Sequence, residues 1–169
     1  MQILAGKFKG AQIQTRANLK YRPTQSKIRK SLFDMLGDLS GKMVLDLFAG
    51  SGILGFEALS RNARFVTFIE KNVSQVQLLK NNFKKNNFNN CEIRKMDALK
   101  YLKEGAKTDL ILADPPYGYT ELNLIIYLAL KNLKTGGEFV LETSKKDGFL
   151  NSDREKIYGN TRLSFWKKQ

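Results

Sequence analysis

No histidine occurs in this chain. That absence removes the Ser-His-Asp triad, the Cys-His pair and every histidine-based metal site. A single cysteine, Cys91, rules out an internal disulfide and a cysteine zinc cluster. No apolar run approaches the ~20 residues of a membrane helix, and Met1 to Gly10 lacks the long apolar core of a secretory leader. We therefore expect a cytoplasmic protein with no membrane attachment and no metal. Its chemistry must rest on carboxylates, aromatic rings, backbone dipoles or a cofactor.

Negative charge is also scarce. Sixteen acidic residues face 29 basic ones, a net charge of +13. The first forty residues hold eight Lys/Arg and two Asp, a net of +6. Such a field attracts polyanions and speeds their association, so nucleic acid is the expected partner. The competing reading is compositional drift, since Lys80 to Asn90 is rich in Lys and Asn.

A length of 169 residues suits one domain with a real core. Gln2–Phe8 and Ala11–Thr15 read as short strands of a hairpin around Lys9-Gly10. Arg22-Pro23-Thr24 reads as a helix start. Ile28, Leu32, Met35 and Leu36 then mark one apolar face, with Lys27, Arg29 and Lys30 mainly off it. From Met43 onward, strand and helix alternate. Strands are expected at Met43–Leu47, Phe65–Ile69, Glu92–Lys95, Leu110–Ala113 and Glu138–Glu142, and helices at Ile53–Ser60, around Val73 to Phe83, and at Leu122–Leu133 up to Gly136-Gly137. Glu155–Tyr158 and Thr161–Trp166 flank Gly159-Asn160 as a closing hairpin. Alternation of this kind predicts an α/β, Rossmann-like sheet, mostly parallel, covered on both faces. An antiparallel C-terminal hairpin joins at one edge. We read residues 1–169 as one domain, with 1–40 a basic N-terminal hairpin-and-helix extension and 41–169 the cofactor-binding and catalytic core.

Two motifs carry chemistry. The first is Asp46-Leu47-Phe48-Ala49-Gly50-Ser51-Gly52-Ile53-Leu54-Gly55, a glycine loop between strand and helix. Its glycines let the backbone turn tightly and let a ligand approach. A side chain at Gly52 is expected to enter the ligand's space. Glu70 lies 20 residues past Gly50, where a carboxylate can accept from ribose hydroxyls. A nicotinamide dinucleotide fits the glycines too, but Asp46 would repel its pyrophosphate. S-adenosylmethionine carries no phosphate and has an ammonium and a sulfonium that favour an acid there. Asp97 and Ala98 follow the third strand and face the adenine pocket in this topology; alternatively, Asp97 only caps the next helix.

The second motif is Asp114-Pro115-Pro116-Tyr117, directly after a buried strand. An exocyclic base amine is planar and a poor nucleophile. Acceptors aimed at its N–H bonds would hold it and favour a pyramidal nitrogen. Asp114 offers a carboxylate oxygen, the Pro115 carbonyl a second acceptor, and the prolines stiffen the loop. Tyr117 offers a ring on which an extruded base can stack. Cys91 lies far in sequence from both motifs and reads as an ordinary small buried residue.

These residues resemble the class I adenosylmethionine-dependent methyltransferases that carry [D/N]-P-P-[Y/F]. More narrowly, the chain resembles the bacterial RsmD-type methyltransferases, which make N2-methylguanine in 16S rRNA. The likeness rests on Ile3 to Gly10, on Arg22-Pro23-Thr24 with Arg29-Lys30-Ser31-Leu32-Phe33, on Asp46 to Arg61, on Asp114 to Tyr117, and on Arg154 to Trp166. It implies S-adenosylmethionine as cofactor and a guanine of the small ribosomal subunit, or of its assembly intermediate, as target. It also implies that Thr24 closes the site near the methionine end of the cofactor. The segment after Tyr117 departs from the usual pattern, with Tyr119 coming early and the loop short.

A DNA adenine-N6 methyltransferase uses the same loop chemistry but needs a larger target-recognition region than Met1 to Arg22 offers. A protein glutamine methyltransferase usually has Asn where Asp114 stands. A basic RNA-binding assembly factor without catalysis has no need of an intact glycine loop, Glu70 and D-P-P-Y. We expect a monomer, and we expect that deleting Met1 to Lys20 removes activity while leaving much of the cofactor binding.

Overall fold

The computed structural model describes residues 1–15, 23–148 and 150–169, with the backbone alone at 23–25. Arg16, Lys20 and Arg22 of the basic extension lie outside the described residues, as does the side chain of Thr24. The elements run α1 (Pro23–Leu36), β1 (Met43–Leu47), α2 (Ile53–Ser60), β2 (Phe65–Glu70), α3 (Val73–Lys85), β3 (Cys91–Lys95) and α4 (Ala98–Glu104). They continue with β4 (Thr108–Ala113), α5 (Leu122–Asn132), β5 (Leu133–Ser144), β6 (Arg154–Tyr158) and β7 (Thr161–Lys167).

The seven strands form one sheet in the order β3-β2-β1-β4-β5-β7-β6. The first five are mutually parallel. β7 runs antiparallel to both β5 and β6, so the closing hairpin adds the antiparallel edge. The chain reverses its direction of winding between β1 and β4, which opens a crevice beyond their carboxyl ends.

Parallel strands covered on both faces read as near-continuous apolar runs, and their side chains alternate between two cores. Val44, Leu110 and Leu112 enter one cluster with Phe33, Phe56 and Leu79 of α1, α2 and α3. Leu45, Leu47, Ile111 and Ala113 enter the other, with Leu99 of α4 and Ile125 of α5. No helix among the described residues is long and apolar enough to cross a membrane.

Two expectations are corrected here. First, Gly136-Gly137 does not end a helix. α5 stops at Asn132 and β5 begins at Leu133, and the glycines sit where the β4–β5 register shifts between Thr108 and Leu110. Second, Gln2–Phe8 and Ala11–Thr15 do not form two regular strands. They pair as a short antiparallel hairpin with one bridge, Gln2 with Gln12, in which Ile3 donates to the Ala11 carbonyl at 3.0 Å, Gly10 to the Ile3 carbonyl at 2.9 Å and Ile13 to the Met1 carbonyl at 2.7 Å, while α2 takes the amides between. Leu4 and Ala5 donate to the two oxygens of Glu57, at 2.8 and 3.1 Å. Lys7 donates to the Ser60 carbonyl at 2.7 Å and Phe8 to the Ser60 hydroxyl at 2.9 Å. Gly6 makes this approach possible, since a Cβ there would fall 1.7 Å from the Ser60 carbonyl oxygen.

Arg29, although off the apolar face of α1, is not solvated. It is only 4% exposed because the arm covers it. It donates to the Gln2 carbonyl at 2.8 Å and lies 3.7 Å from the Glu57 carboxylate. Lys27 and Lys30 do face solvent, as their positions on α1 predict.

The arm is therefore part of the core, with Ile3 and Ile13 each 1% exposed. Deleting Met1 to Lys20 is now expected to destabilise the whole domain rather than remove a detachable RNA grip. Glu57→Ala tests the anchor. It would leave two arm amides without acceptors and two arginines without their buried partner, and should cost about 3–5 kcal/mol. Urea unfolding reads this directly, and a loss within experimental error would refute the anchoring role.

Candidate active site

The site is built where the parallel strands end. After β1 the chain turns through Phe48 to Gly52 into α2, with left-handed backbone at Phe48 (φ 58°), Gly50 (φ 53°) and Gly52 (φ 82°). Left-handed geometry at a bulky residue such as Phe48 is costly and needs support. The Phe48 ring packs edge-on against Tyr119 at 5.3 Å, and the neighbouring Ala49 amide donates to the Ile69 carbonyl at 3.0 Å. One Glu70 oxygen accepts from the Gly50 amide at 2.9 Å, the other from Asn72 at 2.7 Å. A second side chain, buried Asn82, ties the loop to the arm, donating to the Ser51 carbonyl at 2.9 Å while exchanging hydrogen bonds with the backbone of Gln14.

Asp46 is 1% exposed, and one of its oxygens accepts from the Gly55 amide at 2.9 Å. Burial, aided by the charges of Asp114 and Glu70, raises its carboxyl to about 8 against the pull of the Gly55 amide. Asp114 leaves β4 next to Ala113, and burial among protein atoms raises it as well. Its surface is nevertheless open to the cavity. Tyr117 is 87% exposed, its ring free to take a planar partner.

A cavity of about 570 Å³ gathers these groups. Of the residues expected from sequence, Asp46, Phe48, Ala49, Gly50, Ser51, Glu70, Ala98, Asp114, Pro115 and Tyr117 line it. Two do not. Asp97 caps α4, accepting from Leu99 at 3.0 Å and Lys100 at 3.3 Å, and its other oxygen is 3.7 Å from Lys71. Gly52 faces inward: a Cβ there would meet Leu79 at 2.3 Å and Phe56 at 2.6 Å, so its space belongs to the core and not to a ligand. Gly50 is the residue open to the cavity, with nothing nearer to an added Cβ than the Phe48 carbonyl at 3.8 Å.

The sequence reading missed Met1 and Arg29 on one wall of the cavity and Glu142, Thr143 and Ser144 on another. Arg29 arrives only through the arm's packing. Glu142 had a usable signal: like Glu70 and Asp114, it is an acid at the end of a buried strand. Cys91 is outside the cavity, its thiol pushed up to about 12 by burial.

The lining suits S-adenosylmethionine. The buried Asp46 carboxyl gains from a cationic ligand, and the bare backbone at Gly50 permits close approach.

A family model described as conserved hypothetical protein 95 matches residues 1–167. The chain is 35% identical over 153 residues to ribosomal RNA small subunit methyltransferase D of Buchnera aphidicola subsp. Acyrthosiphon pisum, covering 88% of this chain and 80% of that one. It superposes on the hypothetical protein TTHA0928 of Thermus thermophilus with a TM-score of 0.86 at 28% identity, over 98% of each chain. The 16S rRNA N2 G1207 methyltransferase RsmC of T. thermophilus, solved with AdoMet and guanosine, shares the fold. There the TM-score is 0.75 at 22% identity, over 96% of this chain and 46% of that one.

Substitutions at the glycine loop and at Asp46 test this geometry. Gly52→Ala should lose about 2–4 kcal/mol through overpacking and left-handed strain, while Gly50→Ala carries only the strain, about 1–2 kcal/mol. Urea midpoints showing the reverse order would contradict the inward placement of Gly52. At Asp46 the variable is pH. Because the folded Asp46 keeps a proton that the unfolded chain releases near pH 4, stability falls as pH rises from about 4 toward 8. Asp46→Asn keeps an acceptor for Gly55 and removes that penalty. Without added cofactor, it should melt at least about 3 °C higher than wild type at pH 8 and show a flatter pH profile. A lower melting temperature at pH 8 would mean that Asp46 is not held protonated.

Proposed function

The chain belongs to the conserved hypothetical protein 95 family, and we propose that within it this protein transfers a methyl group from S-adenosylmethionine to the exocyclic N2 of a guanine in 16S rRNA. The observation that carries this reading is the placement of Asp114-Pro115-Pro116-Tyr117 in one cavity with Asp46 and the glycine loop. The Buchnera relative's name, a ribosomal RNA small subunit methyltransferase, supports the substrate.

When bound, the cofactor supplies an electrophilic methyl group on a sulfonium. This chain's residues do the rest. Asp46, with one oxygen already on Gly55, has a second to accept from the ligand's ammonium. Glu70 braces Gly50 and retains lone pairs for ribose hydroxyls. Met96, Ala98, Phe48, Ala49 and Ser51 also line the cavity. Asp114 and the Pro115 carbonyl accept from the two N–H bonds of the target amine. This favours a pyramidal nitrogen with its lone pair directed at the methyl carbon. Tyr117 stacks the extruded base. Methyl transfer would leave the nitrogen with a surplus proton, which water or Asp114 can accept.

Exposed Lys7 and Lys9 on the arm, close to α2, supply phosphate contacts. The proposed substrate is a small-subunit particle or its assembly intermediate, met in the cytoplasm by a monomer.

Tritiated methyl incorporation into small subunits, protein-free ribosomal RNA and duplex DNA tests the reading. Labelling should appear in small-subunit RNA as N2-methylguanine and fall with added salt as counterion release weakens. Preferential labelling of adenine in duplex DNA would overturn it. Asp114→Ala should keep cofactor affinity by calorimetry while turnover falls roughly 100-fold or more. Near-wild-type turnover would show that the amine is oriented by something else.

A further inference from the structure

Glu142 has no part in the mechanism above. It ends the apolar run Phe139-Val140-Leu141 on β5 and lines the same cavity as Asp114 and Tyr117. β4 and β5 are parallel neighbours with Ala113 opposite Leu141, so the next residues, Asp114 and Glu142, stand side by side. Ala113 and Leu141 both point into the α4–α5 core, and strand alternation therefore turns Asp114 and Glu142 to the same opposite face. Half-buried Glu142 has no hydrogen-bond or ion-pair partner among the described residues, whereas Asp46 and Glu70 accept from backbone amides. A carboxyl in such a place, beside the group that holds the reacting amine, is left with a ligand as its partner.

Resting on the proposed guanine reading, we propose that Glu142 selects the base: its carboxylate accepts from guanine N1–H and shares the adjoining N2–H with Asp114. The complementarity is specific. Guanine alone of the common bases presents two adjacent donors on that edge, while adenine presents an acceptor at N1 beside its amine. Adenine would set its N1 lone pair against the carboxylate, and the site's acceptor would go unpaired. Asp114 and the Pro115 carbonyl then attend the N2 amine itself, and Glu142 attends the ring. Burial and the charge of Asp114 hold the Glu142 carboxyl up. Two N–H donors and a cationic ligand nearby would draw it to its ionised, accepting form.

Two experiments test this. In the first, guanosine, inosine and adenosine are titrated by ligand-observed NMR into wild-type protein loaded with S-adenosylhomocysteine. Affinity should fall in that order, since inosine keeps N1–H and lacks the amine. No preference for guanosine over adenosine overturns the inference without any variant. In the second, Glu142→Gln, isosteric and uncharged, presents one acceptor and one donor, which match adenine N1 and N6–H. It should melt no lower than wild type and bind S-adenosylmethionine within about threefold of it by calorimetry. Its methylation of guanine in small-subunit particles should fall about 10- to 100-fold, and the nucleoside preference should move toward adenosine. Unchanged guanine methylation overturns the inference, and so does loss of cofactor affinity, which would place Glu142 against the ligand's ammonium instead. If the wild type itself labels no guanine in small-subunit particles, the proposed function fails, and the nucleoside series still decides the role of Glu142.

Discussion

Glu57 is wholly buried, and a carboxylate there is tolerable only because every side of it is occupied. The arm brings the amides of Leu4 and Ala5, α1 brings Arg29, and Arg61 closes from one turn further along α2. This one group therefore sets how the first fifteen residues lie and how α1 docks on the sheet. It also sets where Arg29 and Met1 reach the cavity wall. Asn82 repeats the device at the far end of the arm, holding Gln14 on one side and the glycine loop at Ser51 on the other. Arm, helix and cofactor loop are mechanically one piece.

The second constraint is electrostatic and has two signs. The chain as a whole carries +13, which draws a polyanion to its surface. The cavity is acidic instead, with Asp46, Glu70, Asp114 and Glu142 all at or next to the ends of parallel strands. Such a cavity disfavours phosphate and favours a cationic ligand, while the surface charge favours a polyanion. Burial holds Asp46 above the ordinary carboxylate range, so that group gains most when a cation arrives.

Much of this was legible in the residues alone. The alternation of apolar strands and amphipathic helices foretold the doubly covered sheet. The glycine loop and D-P-P-Y foretold which strand ends would meet, because both motifs are local and their chemistry is read within a few residues. Asp46, Glu70 and Asp114 were found for that reason.

What the tertiary structure alone decided was every role set by a partner distant in sequence. The arm is the hairpin that its apolar spacing predicted, but a shorter one. Glu57 and Ser60, more than fifty residues away, took the amides of Leu4, Ala5, Lys7 and Phe8. Arg29 lies off the apolar face of its helix, yet the arm buries it. Gly52 looked like the ligand's glycine until Leu79 and Phe56 were found behind it. Glu142 gained meaning only when β5 was placed beside β4. Local pattern determines element and motif, since backbone propensity and apolar period act over a few residues. The direction a side chain faces, and what it meets there, depends on contacts that exist only once the chain has closed on itself.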